Sequence, residues 1–120
     1  MRRLALDFGG SIMSTSFGAG FHVAPGRAVD ASAYDRFTGR WSRLFVPAVL
    51  SAAEIAPGYR VLDMATGTGE AALMTLPMLG ASGLVIGADI APAMLKAARD
   101  RLGRSFWPVA ADGHALPFKG

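Results

Sequence analysis

The stretch that decides the fold is VLDMATGTGE, residues 61–70. The apolar run from Tyr59 to Met64 is typical of a buried parallel strand, and it leads directly into small residues. Gly67 and Gly69 can adopt backbone conformations that other residues avoid, so the turn can approach a ligand closely. A helix beginning at Glu70 would direct its free N–H groups towards a polar or anionic group. The segment therefore predicts a ligand-binding turn between a strand and a helix.

Strand and helix patterns alternate on the C-terminal side of this turn. After the first strand we expect a helix, a second buried strand, a second helix and a weaker third strand, at residues 70–79, 84–88, 92–102 and 105–110. The alternation favours an α/β fold, a Rossmann-like parallel sheet in βαβαβ order with right-handed crossovers.

Two prolines test this assignment. Pro77 should kink the first helix or end it near Leu76, because proline lacks an N–H and restricts the residue before it. Pro108 falls in the third strand, and proline is tolerated in a strand at the edge of a sheet. The strand order 3-2-1 that is usual for this fold class places the third strand there.

The sequence changes character on the N-terminal side of the turn. Residues 1–30 are rich in Gly, Ser and Ala, which predicts a flexible tail, and the ordered part of the chain is expected in residues 31–120. An apolar helical pattern runs from about Phe45 to Ile55, with Pro47 suited to its first turn. Pro57 and Gly58 should end that helix before the first strand.

Composition limits the class of protein. With 120 residues, 52% of them hydrophobic, the chain can form one domain or part of one. It has no cysteine, so we expect neither disulfides nor a metal site, and a cytoplasmic location. Its apolar runs are shorter than the roughly 18 residues of a membrane span. The net charge is +3, and both arginine clusters fall where solvated helix faces or loops are expected, so we expect no nucleic-acid partner.

Two carboxylates follow the second and third strands. Asp89 is expected to be the last residue of the second strand, where a carboxylate can accept both hydroxyl groups of a ribose. It could instead cap the following helix. Asp112 begins the loop DGHALPF, residues 112–118, where a carboxylate could accept a hydrogen bond from the exocyclic amine of adenine.

These three motifs in this order resemble the class I S-adenosylmethionine-dependent methyltransferases, in particular the ubiquinone/menaquinone-biosynthesis branch. The resemblance covers residues 34–118 and includes Ala65, where other members carry glycine. Residues 61–70 match the first motif, 87–95 the ribose motif and 112–118 the adenine loop. Residues 34–43 are similar to a segment that often covers the bound cofactor. The resemblance implies a methyltransferase that uses S-adenosyl-L-methionine to methylate a small molecule, with residues 31–120 as the N-terminal cofactor-binding part of its domain.

The resemblance also implies roles for ten residues. Asp63 and the turn would hold the methionine end, Asp89 the ribose, and the remaining residues the adenine. In chain order the implied cofactor-binding residues are Asp63, Ala65, Gly67, Thr68, Gly69, Asp89, Ile90, Met94, Asp112 and Gly113. Tyr34 and Arg40 would close over the amino-acid moiety. No catalytic residue is implied, and we expect His114 to be an exposed loop residue without the partner that a general base needs.

Two alternatives stay open. Residues 67–72 satisfy the G-x-G-x-x-G/A pattern, so a NAD(P)-binding Rossmann domain is one of them. The other is a truncated, non-catalytic or degenerate fragment, because members of the resembled family continue with a fourth strand beside the first. We therefore expect the fold to be truncated after strand 3, with self-association through the exposed edge of strand 1.

Overall fold

The computed structural model describes residues 30–118. The predicted tail, apart from its last residue, lies outside the described residues. An N-terminal helical segment comes first, and three strands and two α-helices follow it in the predicted βαβαβ order. Among the described residues, no helix has the length and apolar character needed to cross a membrane.

The sheet has three parallel strands: β1 (Arg60–Met64), β2 (Leu84–Asp89) and β3 (Phe106–Ala110). Their order is β1-β2-β3, with β2 in the centre, so the predicted open Rossmann-like arrangement is confirmed. Pro108 lies on the edge strand β3, opposite Gly87 of β2. Its missing N–H therefore costs the sheet no central hydrogen bond.

The N-terminal helical segment differs from its prediction. A short helix α1 (Ala31–Tyr34) continues through a π-helical turn (Asp35–Gly39) into helix α2 (Arg40–Ala52). The predicted range of Phe45 to Ile55 was wrong at both ends, and Pro47 lies inside α2 rather than in its first turn. The apolar pattern marked only part of the helix, because the residues before Phe45 extend it through polar contacts rather than apolar ones.

The other two helices pack beside the sheet. Helix α3 (Glu70–Leu79) continues past Pro77, so the predicted stop near Leu76 was wrong. Pro77 lies in the last turn, and burial of Leu79 favours keeping that turn helical. Helix α4 (Pro92–Leu102) begins at the predicted proline and ends at Gly103, whose φ of 70° suits glycine. A 3-10 turn (Gly103–Ser105) leads into β3.

The hydrophobic core lies between one face of the sheet and the helices. Its fully buried members come from α3, β2, α4 and β3, and they are Ala72, Leu79, Val85, Ala98 and Phe106. Gly87 makes room for the largest of them, because a Cβ there would collide with the Phe106 ring. The register pairs Val61, Val85 and Phe106 in one row across the three strands.

The opposite face of the sheet carries the alternate residues of each strand. Leu62, Ile86 and Trp107 form one row on this face. Leu62 and Trp107 are 39% and 56% exposed, so this apolar surface is open among the described residues.

Candidate functional site

The turn after β1 is built from residues with left-handed backbone conformations. Ala65 and Gly67 both have φ of 56°, and Gly69 has φ of 82°. Gly69 also packs tightly, since a Cβ there would lie 2.6 Å from Cδ1 of Leu102. Ala65 carries a side chain in this conformation at a cost of about 1–2 kcal/mol. Such strain is typical of ligand-binding turns, where the surrounding structure holds it in place.

Asp89 ends β2, as predicted, and ties this turn to the next loop. Its Oδ2 accepts from the Gly67 N–H at 2.8 Å, and its Oδ1 accepts from the Ala91 N–H at 2.9 Å. The N-cap of α4 is Ala91, so the alternative role of Asp89 as the capping residue was wrong. Each carboxylate oxygen can accept a second hydrogen bond, which leaves Asp89 able to bind hydroxyl groups as well.

Asp63 points to the helix-covered side of the sheet. Its Oδ2 accepts from the Thr66 hydroxyl at 2.7 Å. Burial raises the pKa of the Asp63 carboxyl, although hydrogen bonds from Thr66 and from the Ala72 N–H act in the opposite direction. The nearby charge of Asp89 raises the pKa further. Asp63 therefore stabilises the turn through its hydrogen bond with Thr66 on the buried side.

An open cleft of about 410 Å³ lies at the carboxyl ends of the strands. Its walls combine apolar side chains with two carboxylates, and its lining residues are Met64, Ala65, Ala88, Asp89, Ile90, Ala111, Asp112, Gly113 and His114. Open parallel sheets bind ligands at this end of the strands. In the loop after β3, Oδ1 of Asp112 accepts from the His114 N–H at 2.8 Å, which fixes the carboxylate against the loop.

Five of the ten sequence-predicted site residues line this cleft: Ala65, Asp89, Ile90, Asp112 and Gly113. The other five do not. Met94, on α4, is only 4% exposed and does not line the cleft, so its predicted contact with the adenine stays a prediction. The remaining four, Asp63, Gly67, Thr68 and Gly69, belong to β1 and the glycine turn beside the cleft.

Sequence reasoning missed part of the lining. Met64, Ala88 and Ala111 reach the cleft because they lie at or just beyond the carboxyl ends of the three strands. Their position at the strand ends was the signal that could have identified them. His114 is exposed, as expected, and it also belongs to the lining.

A group of charged residues lies on the other side of the glycine turn. Glu70, the first residue of α3, accepts from Nε of Arg43 at 2.8 Å and from Nη1 of Arg101 at 2.9 Å. Burial opposes ionisation of Glu70, but the two arginines outweigh it and lower the pKa of the carboxyl. Asp35 lies 3.6 Å from Nη2 of Arg43, and its Oδ1 accepts from the Thr68 hydroxyl at 3.1 Å.

The N-terminal segment reaches the turn through Tyr34 as well. Cε1 of Tyr34 lies 3.5 Å from the position that a Cβ on Gly67 would take. Arg40 is exposed. Within residues 30–118, no three His, Cys, Asp or Glu side chains are grouped so that they could hold a metal ion.

Comparison with known proteins identifies the family to which this chain belongs. The family described as "Methyltransferase domain" matches residues 61–120, which is half of the chain. The ubiquinone/menaquinone biosynthesis C-methyltransferase UbiE of Xanthomonas oryzae pv. oryzae is 40% identical in an alignment of 83 residues that covers 65% of this chain and 31% of the relative. UbiE of Xylella fastidiosa strain M12 is 42% identical over 62 residues, 52% of this chain and 23% of the relative. The chain thus spans about a third or less of these relatives.

Solved structures share the fold. A SAM-dependent methyltransferase from Aquifex aeolicus matches with a TM-score of 0.59 and 25% identity, over 73% of this chain and 50% of that one. An S-adenosyl-L-methionine-dependent methyltransferase from Methanococcus maripaludis, described as putative in its name, matches with a TM-score of 0.57 and 14% identity, over 74% and 43% of the two chains. The second likeness concerns the fold alone.

Proposed function

Because this chain belongs to the methyltransferase domain family, as a class I S-adenosylmethionine-dependent member, we propose that it binds S-adenosyl-L-methionine for transfer of a methyl group to a small molecule. The cleft at the carboxyl ends of the strands carries this proposal. It combines two carboxylates with apolar walls, and it lies beside the glycine turn.

The cleft suits an adenosine group. Asp89 retains accepting capacity beyond its two backbone hydrogen bonds, which fits the two hydroxyl groups of a ribose. Asp112 and the Gly113 N–H offer an acceptor and a donor to the edge of an adenine, while Ile90 provides apolar surface for its ring. We assign these roles as proposals, together with the glycine turn for the methionine end.

The Asp63 role becomes indirect in this proposal. Its carboxylate accepts from Thr66 on the buried side of the turn, so it shapes the backbone that would receive the methionine end. Gly67, Thr68 and Gly69 contribute backbone and turn shape in the same way. Met94 is 4% exposed, and its contact with the adenine remains part of the proposal.

The bound cofactor would supply an activated methyl group on a sulfonium, and alignment of the reacting atoms provides much of the rate in such reactions. The relatives named above are C-methyltransferases, which favours a carbon atom of a small molecule as the acceptor. We assign no catalytic base. Within the described residues, His114 contacts the Asp112 carboxylate through its backbone N–H and not through its ring.

Isothermal titration with S-adenosylhomocysteine tests this proposal. Asp89→Ala alone would be ambiguous, because Asp89 also holds Gly67 and Ala91. A sharper design compares S-adenosylhomocysteine with its 2′-deoxy and 3′-deoxy analogues on the wild type and on Asp89→Asn. Asp100→Asn serves as the matched control, since Asp100 pairs with Lys96 on the surface of α4.

If Asp89 binds the ribose, the wild type and Asp100→Asn lose affinity for at least one deoxy analogue, by about 1.5–3 kcal/mol for a hydrogen bond to a charged group. For Asp89→Asn, the difference in affinity between S-adenosylhomocysteine and its deoxy analogues should be smaller than for the wild type. Equal affinity of the wild type for all three would refute the ribose role. Binding of NAD in place of S-adenosylhomocysteine would instead support the nicotinamide alternative.

A further inference from the structure

Four charged side chains connect three helices beside the glycine turn. We call Asp35, Arg43, Glu70 and Arg101 the four-charge cluster. Glu70 binds both arginines, and its side chain is only 9% exposed. Asp35 completes the cluster at 3.6 Å from Arg43 and 4.0 Å from Arg101. The cluster thus joins the N-terminal helical segment to α3 and α4.

Asp35 differs from the other three members because it also contacts the turn itself. Its Oδ1 accepts from the hydroxyl of Thr68, a residue of the glycine turn, at 3.1 Å. Asp35 is therefore the point at which the cluster and the turn meet.

The backbone around Asp35 is shaped for this contact. Asp35 begins the π-helical turn Asp35–Gly39, and π-helical turns are rare and frequent at functional sites. Gly39 ends that turn and is buried, and a Cβ on it would lie 2.5 Å from Oδ1 of Asp35. A side chain at position 39 would thus displace the same oxygen that accepts from Thr68.

From these contacts we propose that Asp35 is a positioning residue, which acts through Thr68 to keep the N-terminal helical segment closed over the glycine turn. Tyr34, its neighbour, then lies against Gly67. This inference rests on the proposed function of the turn as part of the cofactor site. In this proposal Asp35 does not contact the cofactor, but it slows the dissociation of a bound cofactor.

The ion pair between Asp35 and Arg43 makes this inference measurable through its dependence on salt. Asp35 and Arg43 are 33% and 47% exposed, so salt screens their attraction. S-adenosylhomocysteine carries no net charge at neutral pH, so salt has little direct effect on its attraction to the protein. A dissociation rate that rises with salt in the wild type would therefore report ion pairs within the protein.

The experiment measures dissociation of S-adenosylhomocysteine from the full chain by stopped flow, at low and high salt. The variant is Asp35→Asn, and Asp100→Asn removes an exposed ion pair elsewhere as the matched control. We expect Asp35→Asn to raise the dissociation rate constant about two- to fivefold at low salt, as for other partly exposed ion pairs. We also expect it to reduce the salt dependence, with Asp100→Asn close to the wild type in both.

A double-mutant cycle tests whether Asp35 acts through Thr68. If it does, Thr68→Val and Asp35→Asn are not additive, and the double variant dissociates no faster than Thr68→Val alone. Gly39→Ala should reproduce the effect of Asp35→Asn, because it displaces the same carboxylate. Additive effects of the two substitutions would overturn the route through Thr68.

Hydrogen exchange on the ligand-free chain separates this inference from the proposed function. Asp35→Asn should speed exchange at the amides of Gly67 and Gly69 and in residues 31–39, whereas Asp100→Asn should not. Unchanged exchange and unchanged dissociation in Asp35→Asn would overturn the inference. If the wild type binds no S-adenosylhomocysteine, the proposed function fails, and the exchange result alone decides whether Asp35 holds the segment on the turn.

Discussion

The two faces of the sheet have similar amino acids but different surroundings. On the helix-covered face, the row Val61, Val85 and Phe106 belongs to the core or packs against it. On the other face, Leu62 and Trp107 of the neighbouring row are exposed among the described residues. Parallel sheets usually have both faces covered, and both rows have the apolar composition this requires. Apolar strand residues thus indicate surfaces suited to burial without identifying what buries them.

The largest expected difference between the two faces comes from truncating one ring on each. Phe106→Ala should lower the free energy of unfolding by roughly 3–5 kcal/mol, because it removes a fully buried ring and leaves a cavity. Trp107→Ala, at the next position on the exposed face, should cost far less. Urea denaturation of both variants, followed by circular dichroism, measures the two costs.

The comparison between the faces fails if the two truncations cost the same. Equal costs with an unchanged dependence of the unfolding free energy on urea would mean that Trp107 is as buried in solution as Phe106. Gly87 is independent evidence that Phe106 is closely packed on the covered face, because its missing Cβ makes room for the Phe106 ring.

Much of the fold could be predicted from the sequence because strand and turn signals are local. The ends of β2 and α4 follow from the apolar run before Asp89 and from Pro92 and Gly103. The start of α2 could not be predicted in this way. Its first turns depend on the π-helical turn before Arg40 and on polar contacts such as that of Ser42 with the Thr38 carbonyl, which an apolar pattern does not record.

The candidate site divides in a similar way. Asp89 and Asp112 could be located because the carboxyl ends of parallel strands meet at one edge of a sheet. Met94 was assigned a contact with the adenine from its position in a motif, but a motif does not record how a helix packs, and Met94 is only 4% exposed on α4. The contact between Asp35 and Thr68 joins residues 33 positions apart, and no local pattern predicts it.

A smaller effect is expected on the covered face from Asp63, the charged residue of β1 on that face. Its raised pKa means that the unfolded chain ionises first as the pH rises. Ionisation of Asp63 therefore lowers stability from the ordinary aspartate pKa of 3.8 up to its raised value in the folded chain, and has no further effect above that. Asp63→Asn should remove this loss.

We expect Asp63→Asn to be less stable than the wild type by roughly 0.5–1.5 kcal/mol at pH below 3.8, where it loses part of its hydrogen bonding. The gap should narrow as the pH rises. Thermal melting of both proteins from pH 3.5 to 7 measures this change. A gap that widens with pH would show that the folded chain stabilises the carboxylate, contrary to its burial.

The smallest expected effect on stability belongs to the exposed face. Leu62 lies on β1, at an edge of the described sheet, where we predict self-association. Leu62→Lys should change the free energy of unfolding by no more than about 0.5 kcal/mol, as for other surface substitutions, yet weaken association by placing a charge on the apolar face.

Ala81→Lys, in the exposed turn before β2, adds the same charge away from this face. Sedimentation velocity over a range of concentrations should show association for the wild type and Ala81→Lys, and less for Leu62→Lys. A wild type that stays monomeric throughout would exclude self-association through this edge, and association unchanged by Leu62→Lys would assign it to another surface.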